Sequence, residues 1–210
     1  MIQRIKTFIN KCKSKYQYEK LSKTIDKMYS DFNSYVVCIE IGSDIVSFAK
    51  DVLDVIKEFR IEIKNQTGFI FQPIRVVDNC NLQENEYVIK VHGKVVLQDF
   101  VISTKDKVIE SLKENLNELF VSYIEDIFTC EIMNKYIDQA RKKNPYLVWN
   151  LVNTFSVYEI KMIFVHLLKN QKSIYNLSYI MEKIGQVTYG NDNSYCHDPI
   201  QVAKDLVAIL

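Results

Sequence analysis

Three histidines, five cysteines and scattered acid pairs are the side chains of this 210-residue chain best suited to chemistry. Cys196-His197-Asp198 sets a thiol, an imidazole and a carboxylate side by side, the donor types of a zinc site. Adjacent residues seldom fill one tetrahedron, however, and the remaining ligands are not evident at the spacings structural zinc uses. Asp198 has a sufficient structural task, because it precedes Pro199 as a helix N-cap followed by a first-turn proline. His166 lies inside the helical run Met162-Ile-Phe-Val-His-Leu-Leu, and His92 falls on the polar side of an alternating strand pattern just before Gly93. None of the three histidines has a ligand partner three or four residues away within a helix. Acid pairs such as Glu84 with Glu86, or Glu125 with Asp126, are of a kind common on surfaces, and no motif brings them together. Gly-x-Gly-x-x-Gly, Gly-Lys-Ser/Thr, Gly-x-Ser-x-Gly and His-Glu-x-x-His are all missing, and five glycines leave little material for a phosphate-cradling loop. No catalytic, cofactor-binding or metal residue is therefore assigned, and the expectation is a protein that is not an enzyme.

The elements that would position such groups follow from composition and period. Apolar residues make up 48% and charged residues 25%, the balance of a globular protein with a substantial core. No apolar stretch approaches the roughly 20 residues that span a bilayer. Cysteines 12, 38, 80, 130 and 196 are odd in number and contain no Cys-x-x-Cys, as reduced cytoplasmic thiols would be. The first residues are charged throughout and lack the apolar stretch of a signal peptide, which argues against secretion. The net charge of +1 conceals a bias, because residues 1–27 carry eight Lys or Arg against two acids.

In that segment Ile2, Ile5, Ile9, Cys12 and Tyr16, then Tyr18, Leu21, Ile25, Met28 and Phe32, step by three and four. The spacing predicts a basic amphipathic helix or a broken pair. Tyr35–Ile41 reads as a strand closed by Gly42. Asp51 is expected to cap a helix through Val52, Val55, Ile56, Phe59 and Ile63, with Gly68 at its end. Phe69–Val77, interrupted by Pro73, and Tyr87–Val96 complete a strand-helix-strand-strand unit. Beyond about residue 104 the period becomes helical. One long face runs from Val108 to Ile127, a second helix stops near Asn144-Pro145, a third opens on the capping box Ser156-x-x-Glu159, a fourth reaches Gly185, and the last follows Asp198-Pro199. The expected class is α+β: a small βαββ sheet subdomain at 34–127, a helical subdomain at 128–210, and a basic amphipathic helix at 1–33.

Two ordered blocks carry a family resemblance. Gly68-Phe69, Pro73, Asp78-Asn79, Leu82, Tyr87, Ile89 and Gly93 form the first; Asn144-Pro-Tyr-Leu-Val, Asn150-Leu-Val and Ser173-Ile-Tyr-Asn form the second. Together they resemble the FHIPEP family, the large export-gate proteins of flagellar and virulence type III secretion systems. The resemblance covers roughly residues 35–210 and implies a cytoplasmic domain in reduced form. On that resemblance the basic N-terminal segment is expected to stand where members carry a multi-helix membrane domain. Lys94–Lys107 is expected to be too short for the inserted subdomain that docks export chaperones, and the final subdomain is expected to be missing. Where the family has Ser-Ile-Arg-Asp, this chain has Ser173-Ile174-Tyr175-Asn176.

The resemblance implies protein partners from an export apparatus or its substrates, self-association of the kind that gives the family its nine-membered ring, and no cofactor. The polar connection Asp78–Asn85 is a candidate contact loop through Asp78, Asn79, Asn81 and Asn85, although turn formation is its plainer role. Tyr175 and Asn176 are candidates at the altered family motif. Arg4, Lys6, Lys11, Lys13 and Lys15 are candidates for contact with a partner helix or an anionic membrane at its inner face. No nucleic-acid contact is expected, since no binding module accompanies the basic stripe.

Overall fold

The computed structural model describes residues 35–101, 104–189 and 196–210, of which residues 36–210 form one compact unit. The basic segment 1–33 and its candidates Arg4, Lys6, Lys11, Lys13 and Lys15 lie outside the described residues. The α+β class holds. Strand β1 (Val37–Ile41) alternates buried and half-buried residues, so that Val37, Ile39 and Ile41 face the core while Cys38 and Glu40 face away. A short helix α1 (Ser43–Val46) leads to α2 (Ala49–Thr67), whose Val52, Val55, Ile56, Phe59 and Ile63 are buried at helical spacing. The chain returns as β2 (Arg75–Asp78), parallel to β1, and then forms β3 (Glu86–Val91) and β4 (Lys94–Phe100). The sheet order is β2-β1-β3-β4, with β3 antiparallel to both of its neighbours.

The remaining elements are helical: α3 (Lys105–Ile127), α4 (Cys130–Lys143), α5 (Pro145–Thr154), α6 (Val157–Lys169), α7 (Leu177–Tyr189) and α8 (Pro199–Ile209). Three are capped as their sequences require. Thr129 accepts from the Ile132 N–H, Ser156 and Glu159 form a reciprocal capping box, and Asp198 accepts from the Ile200 N–H. Helix α3 packs on both α2 and α6, so sheet layer and helical bundle share one continuous core. At its centre Phe69 meets Phe71 edge to face and Phe120 and Phe128 at a tilt, and Phe128 meets Tyr136, with ring centroids 5.1 to 5.8 Å apart. Helix α5 leaves Tyr146 and Trp149 on the surface.

Several local expectations change. The segment Tyr87–Val96, read as one strand, is two, because His92 (φ 49°) and Gly93 (φ 78°) take the left-handed conformations that a tight two-residue hairpin demands. Of Phe69–Val77 only the last residues pair, since Phe69 and Phe71 turn into the core and Pro73 has no N–H to donate. Asp51 is not the N-cap of α2. Phe48 holds that position, and the Asp51 carboxylate instead pairs with the Lys105 ammonium 2.7 Å away. Asn144-Pro145 ends α4 and also starts a further helix, α5, that the apolar spacing does not mark, because proline suits the first turn of a helix. Helix α7 continues past Gly185 to Tyr189, and Ile174 is buried ahead of it.

One joint ties the two layers together. Gly68 ends α2 in the left-handed region (φ 78°), where its amide donates to the Lys64 carbonyl. The Ile174 N–H (2.7 Å) and the Ser173 hydroxyl (3.2 Å) both donate to the Thr67 carbonyl. Across the joint, the buried Tyr136 hydroxyl accepts from the Ile70 N–H at 2.7 Å and donates to the Gly68 carbonyl at 3.1 Å. A Cβ on Gly68 would lie 2.5 Å from backbone atoms of Tyr175. Gly93, with the same φ, has open space around it.

Those two glycines separate strain from packing. Gly93→Ala should cost about 1 kcal/mol from the left-handed conformation alone, whereas Gly68→Ala, which also forces backbone apart, should cost at least about 2 kcal/mol. Urea titration of both variants checks the ranking, and equal losses would refute the account of the joint. The tyrosines supply a pH test. Burial pushes the hydroxyls of Tyr136 and Tyr87 up from 10 to about 12. Folding therefore favours the neutral phenols. Their contribution is complete below pH 10 and is lost as pH rises towards 12. The urea midpoint should decline across that window, and Tyr136→Phe, although less stable at neutral pH, should decline less steeply.

Candidate functional site

The connection from Asp78 to Asn85 is built mainly by Asn79. Its N–H donates to the Ile41 carbonyl (3.0 Å), its side-chain amide donates to Glu40 (2.7 Å), and its side-chain oxygen accepts from the Asn81 N–H (2.9 Å). Glu40 is held in turn by an ion pair with Lys90 on β3, which keeps its carboxyl below the usual glutamate range, with help from Asn79. Asn85 closes the far end, since its side chain donates to the Val101 carbonyl (3.1 Å) and its own carbonyl accepts from the Val101 N–H. The loop then crosses β1 at Gly42, where a Cβ would overlap the carbonyl oxygen of Gln83. Glu86 anchors the exit from beneath. It is 5% exposed and accepts from the Gln83 N–H and from the Gln98 amide.

Within this loop Asn79 and Asn85 are thus occupied by local bonds, while Asp78, Cys80 and Asn81 present exposed side chains. Tyr175 and Asn176 lie elsewhere, at the joint that closes α2. Asn176 caps α7 by accepting from the Tyr179 N–H (3.2 Å), and Tyr175 is 73% exposed. The structure therefore does not gather the candidates into one site. Asp78–Asn85 follows the carboxyl end of β2, whereas Tyr175 and Asn176 pack ahead of its amino end.

The groups suited to chemistry are dispersed as well. His92 lies in the β3–β4 turn, not on a strand face, with its ring 2.9 Å from the Asp126 carbonyl. The His197 ring packs on Phe155 at 5.2 Å, and Asp198 is engaged as a cap. Glu125 pairs with Lys169 at 2.8 Å, an interaction that lowers its pKa. One polar cluster does converge. The Tyr87 hydroxyl, Ser111, Asn115 and Asp99 meet between β3, β4 and α3. Its hydroxyls and amide are spent on one another, and the Ser111 bond chiefly lowers the pKa of Asp99, so the cluster clamps α3 to the sheet. Neither this cluster nor the Glu40–Lys90 pair was legible as a site, because each joins residues 12 to 50 positions apart. Among the described residues no group of three or more His, Cys, Asp or Glu is placed to hold a metal ion. No single described helix is long and apolar enough to cross a membrane.

A four-stranded mixed sheet riveted to a helical bundle, with exposed polar connections and dispersed titratable groups, defines a class of α+β domain. Solved structures share it. The chain matches Chlamydia pneumoniae CdsV, in its complex with CdsO, at a TM-score of 0.65 and 16% identity over 81% of this chain and 63% of that one. It matches the nonameric SctV-C of EPEC at a TM-score of 0.65 and 14% identity, over 82% of this chain and 64% of that one. In sequence it is 26% identical to the flagellar biosynthesis protein FlhA of Borreliella burgdorferi over 72% of this chain, and it spans 29% of that protein's length. Residues 3–115 match the FHIPEP family, to which this chain belongs.

The two acidic-loop neighbours have opposite roles. Asn79→Ala removes its two side-chain bonds, leaves Glu40 short of a donor, and should cost about 1 to 2 kcal/mol. Asp78→Ala, at an exposed carboxylate, should stay within about 0.5 kcal/mol. Thermal melts of the pair decide between a loop held by its asparagine and one held by its aspartate.

Proposed function

We propose that this chain is a non-catalytic protein–protein interaction module of a protein-export apparatus, working on the cytoplasmic side of the membrane and self-associating. Membership of the FHIPEP family carries the reading, and the fold likeness to domains from type III secretion systems over four-fifths of the chain supports it. One such relative is described in complex with CdsO and another as a nonamer, which motivates both a protein partner and a homo-oligomer here. Residues 34–127 supply the sheet platform with its exposed Asp78 and Asn81, and residues 128–210 the helical part that carries Tyr175 and Asn176. Tagged chain recovered from its native cell should bring down export-apparatus components, and recovery without any export or envelope component would count against the reading. Light scattering at rising concentration should show assemblies larger than a monomer.

A second reading rests on the eight basic residues against two acids in residues 1–27. In it the chain is a scaffold or regulatory adaptor that engages a partner helix or an anionic membrane through Arg4, Lys6, Lys11, Lys13 and Lys15. Sedimentation with anionic vesicles, with and without residues 1–30, separates the two. Salt-sensitive binding that disappears on truncation favours the adaptor.

A further inference from the structure

A cleft of about 340 Å³ opens beside the Gly68 joint. Its walls are the last turn of α2, the last turns of α4 and the start of α7, and its floor is Gly68 with the Tyr136 ring. Two lysines line it, Lys64 and Lys143, and no Asp or Glu does. Neither lysine forms an ion pair among the described residues; the acid nearest Lys143 in sequence, Asp138, is engaged by Arg141 at 2.8 Å, and the one nearest Lys64, Glu62, accepts from the Gln66 amide at 2.9 Å. The neutral lining also favours donation. Gln139 makes no side-chain hydrogen bond among the described residues. Ser178 accepts from the Asn144 amide (2.8 Å), leaving its own proton to give, and Asn176 spends its oxygen on the α7 cap, leaving its NH₂. Two cations and a surplus of donors face a space of ligand-pocket size that no acid among the described residues lines.

We propose that this cleft binds a linear acidic peptide segment, with its carboxylates on Lys64 and Lys143 and an apolar side chain against Ile70, Leu177 and the exposed Tyr175 ring. The aliphatic and aromatic part of the lining favours a peptide over a bare anion, which would leave that surface wet. Concavity favours it over a bilayer, which cannot enter a cleft walled by three helix ends. Because Tyr175 and Asn176 stand at this mouth, the altered Ser-Ile-Tyr-Asn segment becomes part of a recognition surface. The inference holds whether or not the chain serves protein export.

The probe is a short fluorescein-labelled peptide alternating glutamate and leucine, titrated with the full chain and followed by anisotropy, with the lysine-and-leucine peptide as control. The acidic peptide should bind and weaken as salt rises. Lys64→Gln with Lys143→Gln should weaken it about tenfold, and Tyr175→Ala should weaken it at unchanged salt slope. Lys204→Gln, on α8, should change nothing. All these positions are exposed, and unchanged melting confirms folding. No binding, or binding indifferent to the double lysine variant, overturns the proposal. So does equal competition by inorganic phosphate, which would make the cleft a simple anion trap. Lysine-dependent sedimentation with phosphatidylserine vesicles in place of peptide binding would assign the surface to a membrane instead.

Discussion

The backbone groups of Thr67, Gly68 and Ile70 are the hinge pin of this molecule. A helix end normally leaves carbonyls for water, but here the Thr67 and Gly68 carbonyls are taken up by Ile174, Ser173 and Tyr136, all from the helical bundle. Losing a partner would strand buried polar groups, which costs more than the net worth of the bonds themselves. The bundle is thereby fixed against the sheet at one place, and the Phe69–Phe71–Phe120–Phe128 cluster fills the space behind it. Glycine is needed there twice over, for the left-handed turn and for the close approach of Tyr175.

The other end of the crossover is organised differently. The loop after β2 is held by side chains of the sheet's polar face, with Lys90 and Glu40 passing their hold to Asn79, and Glu86 securing the exit from below. Much of its backbone is engaged while Asp78 and Asn81 project. It needs Gly42 beneath it, so the strand and the loop are read as one unit.

Much of the architecture was legible because it is local. Alternation in Val37–Ile41, the 3.6-residue period of α2 and α3, the Ser156–Glu159 box and the Asp198-Pro199 start each depend on residues a few positions apart. The misreadings occurred where local signals compete. His92-Gly93 sits inside a continuous β-rich run, and only the left-handed pair reveals the turn. Asp51 resembles a cap, but Lys105 draws its carboxylate away. Pro145 marks an ending and a beginning at once. The candidate surfaces were legible in part. Polar composition located the 78–85 connection, yet not which asparagine holds it, and no sequence pattern could bring Lys64, Lys143 and Tyr175 around one cleft.

Trp149, the only tryptophan of the chain, projects from α5 with about two thirds of its surface in water. With that exposure its native emission should already be that of a hydrated indole. Denaturation will therefore scarcely move the fluorescence spectrum, and an unfolding curve recorded that way would look flat for a protein that had lost its core. Circular dichroism at the helical bands is the signal that follows the fold. The indole keeps a separate value: any blue shift it does show reports that something has settled on the outer face of α5.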